Sequence, residues 1–130
     1  MEFSLAPDGR SFAYTSGSSP NRRLWLAPAE GGDYGRPLTK GQATAPSYSP
    51  DGKWIYFTPF RETGGMSYQL ERPGLNIWRV SSNGAREEPV TRLAGKRGYL
   101  GANIANDGKY LYFTWREDVS DIWMMDVDVR

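Results

Sequence analysis

Ser49-Pro50-Asp51-Gly52-Lys53-Trp54-Ile55-Tyr56-Phe57-Thr58 couples a tight-turn signal to an apolar, aromatic strand. The chain writes the phrase twice more, as Pro7-Asp8-Gly9-Arg10-Ser11-Phe12-Ala13-Tyr14-Thr15 and as Asn106-Asp107-Gly108-Lys109-Tyr110-Leu111-Tyr112-Phe113-Thr114. In each copy the Gly tolerates positive φ and the Asp bonds its own local backbone, a hairpin signal between two strands. The columns after the turn agree in type: Ser11/Trp54/Tyr110, Phe12/Ile55/Leu111, Ala13/Tyr56/Tyr112, Tyr14/Phe57/Phe113 and Thr15/Thr58/Thr114. Both faces of this strand are largely apolar, where a strand with one wet face would alternate. The pattern predicts a sheet covered on both sides.

A further strand follows each copy: Leu24-Trp25-Leu26-Ala27, Ile77-Trp78-Arg79-Val80 and Ile122-Trp123-Met124-Met125. Turns then stand at Glu30-Gly31-Gly32 and Ser82-Asn83-Gly84, followed by Arg36-Pro37-Leu38-Thr39 and Glu88-Pro89-Val90-Thr91. Proline suits an edge strand because it cannot donate to a ladder. Ahead of each phrase lies an inner strand, expected over 2–6, 45–49 and 101–105. Each unit therefore reads inner, second, third, outer, and no segment has a helical period. The units run over about 1–42, 43–98 and 99–130 of the 130 residues. Asp8 and Asp51 are 43 residues apart, Asp51 and Asp107 56. Most of the excess lies between the second and third strands of the middle unit, since Asp51 to Trp78 spans 27 residues and Asp8 to Trp25 only 17. After Trp123 seven residues remain, too few for a turn and an outer strand. Repeats of about 40–50 residues with four strands each are propeller blades. The fold class expected is all-β: three four-stranded antiparallel blades, the last incomplete, making half of a six-bladed β-propeller.

The bulk chemistry removes several functions. Sixteen basic and 15 acidic side chains leave a net charge of +1, so no electrostatic footprint for nucleic acid or an anionic membrane is expected. No apolar run reaches the roughly 18 residues of a membrane span. There is no histidine and no cysteine. A Ser-His-Asp or Cys-His constellation is therefore not available within this chain, and the expectation is a non-catalytic protein without metal or cofactor. Gly31-Gly32 is a hairpin turn and not a phosphate loop.

Ser49-Pro50-Asp51-Gly52-Lys53 before an apolar strand, with Asp121-Ile122-Trp123-Met124-Met125-Asp126 later, resembles the WD40-like propeller repeat of the TolB type. The first copy carries Ala6 and the third Ala105-Asn106 where that family has Ser-Pro. The resemblance covers nearly the whole chain and is specific for fold, while the function carried by a fold lives in its sites. It implies a propeller that binds a protein, peptide or small ligand on its loop-rich face or, alternatively, the gating propeller of a prolyl-oligopeptidase-like enzyme whose catalytic domain lies elsewhere. Met1 leads straight into a strand-like segment, so no signal peptide is expected. The resemblance implies a periplasmic location where a leader has been removed, and a cytoplasmic one otherwise.

Three blades alone would expose two broad aromatic faces. Two copies about a two-fold axis would close a six-bladed ring, so a homodimer is expected. Candidate binding residues fall on the face carrying the loops between second and third strands. The insertion over 59–76 supplies Arg61, Tyr68 and Arg72, and long loops on a rigid scaffold often carry function; its alternative is a ligand-free insertion. Arg61 and Arg116 stand at equivalent positions after the second strand, and Arg22-Arg23 lie in the corresponding loop. Such a ring suits an anionic peptide or carboxylate, or else pairs with Glu62, Glu117 and Asp118. Glu87-Glu88 and Asp126 with Asp128 lack the spacing of a calcium loop and read as solvated edges. Tyr48 faces either the channel or the core.

Overall fold

The Asp-Gly phrases form the turns that join the first two strands of each of three sheets. The computed structural model describes residues 2–18, 21–59, 76–92, 99–116 and 120–126. The first sheet orders β1 (Phe3–Leu5), β2 (Ser11–Ser16), β3 (Arg23–Pro28) and β4 (Arg36–Pro37) side by side, all antiparallel. The second repeats the plan with β5 (Thr44–Tyr48), β6 (Trp54–Thr58), β7 (Trp78–Ser81) and β8 (Glu87–Pro89). The third has β9 (Tyr99–Asn106), β10 (Tyr110–Arg116) and β11 (Ser120–Asp126) among the described residues. These are three successive propeller blades, the last with three strands described.

One wiring pattern builds the turns. Asp8, Asp51 and Asp107 each accept, through Oδ1, the N–H two residues on, at 2.9 Å in all three. Gly9, Gly52 and Gly108 hold φ of 73°, 73° and 92°, a region where a Cβ costs roughly 1–2 kcal/mol. Ser49 adds a second clasp: its Oγ donates to Asp51 Oδ1 at 2.6 Å and accepts from Trp54 N at 3.0 Å. The β7–β8 turn copies this clasp with Ser81 donating to Asn83 Oδ1 at 2.7 Å and accepting from Arg86 N at 2.9 Å.

The blades stack face to face. Directly opposed residues of an antiparallel sheet share a face, so Tyr48, Ile55 and Val80 line one side of the second blade, with Phe57 beside them. They are buried against Ala6, Ala13, Leu24 and Leu38 of the first, together with Ala43 of the connection between the two. Tyr56 takes the opposite side and, with Ile77, packs on Leu111, Phe113 and Trp115 of the third. Leu24, Ile55, Ile77 and Val80 are wholly inaccessible, and burial of each such side chain is worth about 1.5–3 kcal/mol. Tyr48 therefore belongs to the core, 8% exposed, with its hydroxyl 3.5 Å from Ser11 Oγ.

Three details depart from the sequence pattern. The inner strand of the second blade starts at Thr44 and is bulged between Thr44 and Ser47, with Ala45 at φ 57°. The carboxylate of Glu2 holds this bulge, accepting from Thr44 Oγ1 and, at 2.7 Å, from Ala45 N. The outer strands are shorter than expected because Thr39 and Thr91 leave the ladder to cap the third strands. Thr39 Oγ1 accepts from Leu24 N at 3.1 Å, and Thr91 Oγ1 from Ile77 N at 2.9 Å. Finally, the aromatic second strand is covered on both sides only in the middle blade. Ile55, Tyr56, Phe57 and Thr58 are all buried, whereas Phe12 and Tyr14 are half-buried.

The Thr caps are testable. Replacing Thr91 by Val keeps the volume but orphans the buried Ile77 N–H, so chemical denaturation should show a loss of about 1–3 kcal/mol. Thr91→Ser, which retains the acceptor, should lose clearly less.

Candidate functional site

Of the residues singled out from the sequence, Arg61, Tyr68 and Arg72 lie outside the described residues, as do Glu62, Glu117 and Asp118. Arg116 ends β10, its backbone paired with Ser120 and Tyr99. Glu87 and Glu88 are engaged: Glu87 Oε1 accepts from Lys40 N at 3.1 Å across the first junction, and Glu88 pairs with Arg79 and Arg86 at 3.5 and 2.8 Å.

The most distinctive surface is the side of the first blade turned away from the second. Register places Leu5 opposite Phe12 and Ala27, and Phe3 opposite Tyr14, Trp25 and Pro37. Phe3 and Leu5 are 64% and 56% exposed. Phe12 and Tyr14 lie ring to ring, centroids 5.4 Å apart. Tyr14 donates its hydroxyl to Tyr34 O at 2.6 Å, which satisfies its polar end and leaves its apolar body to the surface. These positions are the counterparts, counted from the Asp-Gly turn, of Tyr48, Ile55 and Phe57, which the first blade covers. What is core at the first junction is thus open surface one blade earlier. Exposed aromatic faces of this kind mark interaction sites. Lining up the three copies column by column identifies the row, although its exposure depends on which blade has a neighbour.

The turns repeat the asymmetry. Gly52 sits over Pro7, a Cβ there lying 3.6 Å from its Cδ, and Gly108 sits over Pro50 at 3.3 Å. Gly9 has no atom within 4 Å of that position. Asn106 adds a polar tie across the second junction, donating from Nδ2 to Ser47 Oγ and Tyr48 O, both at 3.0 Å. At the far side of the third blade, Tyr110, Tyr112 and Thr114 are half-buried. Tyr112 donates its hydroxyl to Asp107 Oδ2 at 2.9 Å, which raises the phenol's pKa.

Antiparallel four-stranded sheets packed in series by their faces define a β-propeller, and likeness to known proteins agrees. An uncharacterized protein of Agrobacterium fabrum is 33% identical over 127 residues, covering 96% of this chain and 39% of the relative. Dipeptidyl-peptidase 5 of Arthroderma benhamiae is 27% identical over 150 residues, 20% of its own length. Among solved structures, a putative TolB from Agrobacterium tumefaciens superposes with a TM-score of 0.72 at 26% identity, over 95% of this chain and 44% of that one. TolB from Acinetobacter baumannii gives a TM-score of 0.70 at 20% identity, over 97% of this chain and 29% of that one. No protein-family model matches. The fold is that of a TolB-like β-propeller, in part: the chain spans less than half the length of these relatives.

The turn carboxylates titrate in a defined direction. The hydroxyl of Ser49 and then the Lys53 N–H hold the pKa of Asp51 below the ordinary carboxylate value. A lowered pKa contributes stability that is present above the unfolded pKa and lost as pH falls through the folded one. Asp51→Asn should therefore be less stable than the wild type at neutral pH. The gap should close on acidification below the ordinary carboxylate range, as read by thermal unfolding across pH.

Proposed function

We propose that the chain is a non-catalytic propeller module, two copies of which close a six-bladed ring and present their loop-rich face to a protein, peptide or small ligand. The uncovered face of the first blade carries this reading. Leu5, Phe12 and Tyr14 hold the positions that are buried in the second blade. Gly9 holds a turn that in the next two blades rests on the preceding proline. A blade placed there would repeat a junction the chain already makes twice, and the far side of a second copy's third blade offers Tyr110 and Tyr112 to meet it. A two-fold axis along the channel brings both such junctions together at once. The absence of histidine favours binding over hydrolytic catalysis. Arg61, Tyr68, Arg72 and Arg116 are the proposed ligand contacts on the loop face. Likeness to dipeptidyl-peptidase 5 favours a second reading, the propeller portion of a peptidase.

Sedimentation or light scattering tests the assembly. The expected mass is twice that of the chain, and Leu5→Asp should return it to a single chain while the far-ultraviolet dichroism stays β. A single-chain mass for the wild type at every concentration would overturn the dimer.

A further inference from the structure

The clasp of the Asp-Gly turn recurs with an amide in place of the carboxylate. The turn from β7 to β8 reads Ser81-Ser82-Asn83-Gly84, where the turn from β5 to β6 has Ser49-Pro50-Asp51-Gly52. The two match bond for bond. Ser49 Oγ donates to Asp51 Oδ1 at 2.6 Å, and Ser81 Oγ to Asn83 Oδ1 at 2.7 Å. The N–H two residues on reaches the same oxygen at 2.9 Å in both. Each turn glycine donates its N–H to the serine carbonyl, Gly52 at 2.9 Å and Gly84 at 2.8 Å. Gly84 holds φ 78°, close to the 73° of Gly52.

Asparagine is chemically labile, and most so before glycine, which has no side chain to keep its nitrogen from the Asn carbonyl carbon. Of the five asparagines, Asn21, Asn76, Asn83, Asn103 and Asn106, only Asn83 precedes a glycine. It is exposed to water. In the reaction, Gly84 N bonds to Asn83 Cγ, the Cγ–Nδ2 bond breaks, and ammonia leaves with the Gly84 proton. Water then opens the succinimide. Attack at one carbonyl leaves aspartate in the ordinary chain. Attack at the other leaves isoaspartate, whose chain runs through the side-chain carbon and is one atom longer.

We propose that Asn83 is a self-modification site, held back by its own turn and convertible to aspartate without loss of the blade. The clasp restrains both reacting groups: the Gly84 N–H is committed to Ser81 O, and Asn83 Oδ1 to Ser81 Oγ and Ala85 N. Cyclisation needs the turn to open, so its rate follows local opening. Aspartate re-enters a clasp that Asp51 already occupies, and a carboxylate accepts the serine hydroxyl more strongly than an amide does. The pKa of Asp51, held down first by the Ser49 hydroxyl, expresses that preference. Isoaspartate cannot reproduce the clasp, because the extra chain atom displaces the N–H groups that close it. The turn also abuts the first blade. A Cβ on Gly84 would lie 3.5 Å from Arg36 Nη1 and 3.6 Å from Leu38 Cδ1. Aspartate at 83 therefore adds a negative charge one residue from an arginine of the neighbouring blade, whereas isoaspartate disturbs that contact.

The test is peptide mapping by mass spectrometry on the full chain, held at one mildly alkaline pH in buffer and in concentrated guanidinium. In guanidinium, conversion should appear at Asn83 ahead of every other asparagine. In buffer it should be at least about tenfold slower, because the turn is open only a minor fraction of the time. Ser81→Ala removes one donor from Asn83 Oδ1 and should speed conversion while the far-ultraviolet dichroism stays folded. Asn83→Asp should keep that dichroism and unfold, at neutral pH, at a temperature no lower than the wild type. Equal rates in buffer and guanidinium, conversion led by another asparagine, an unchanged rate in folded Ser81→Ala, or a lower unfolding temperature for Asn83→Asp would each overturn the proposal.

Discussion

Face-to-face packing of one twisted sheet on the next is the constraint on which the rest of the molecule depends. Each blade is too thin to own a core. Ile55, Phe57 and Val80 are buried only because the first blade lies on them, and Leu111, Phe113 and Trp115 only because the second does. Stability therefore resides in junctions, as in other repeat architectures where neighbouring units share the interface energy. The middle blade is covered on both faces. The first pays for its position with Phe3 and Leu5 in solvent.

Around these apolar junctions the chain places short polar clasps that fix where each blade sits. The Asp-Gly turn reverses the chain without strain, and in the second and third blades its glycine rests on the proline of the blade before it. Glu2 reaches the bulge at Ala45, Ser4 accepts from Tyr48 N at 3.0 Å, and Asn106 binds the inner strand of the second blade. Hydrogen bonds of this kind contribute modestly each, about 0.5–1.5 kcal/mol net. Their directionality sets the registration between sheets that non-directional burial leaves free.

Much of the architecture was legible because the repeat states it. Strand order, the Asp-Gly hairpins and the third-strand Trp columns follow from pattern and turn chemistry alone, and the turn bonds at Asp8, Asp51 and Asp107 have the predicted form. The Thr39 and Thr91 caps were written in the sequence as a shared Thr after Pro-Leu and Pro-Val, but periodicity reads such positions as strand. The bulge at Ala45 depends on Glu2, 43 residues away, and no local signal announces it. Arg79 was visible as the one charged residue in the column Leu26/Arg79/Met124. Only the register sets its guanidinium over Trp54. The contrast between Phe12 and Ile55 is invisible to a column comparison, because large apolar residues in one column are core or surface according to which blade adjoins them.

The proposed ring follows from the same constraint. A face shaped to receive a blade is satisfied when a blade is there, and a ring is the geometry that satisfies every face at once. Solution X-ray scattering tests that claim most directly. The expected profile is that of a closed disc of six blades with a central channel, unchanged on dilution through the working range. A profile of a single open half-disc at all concentrations would contradict it.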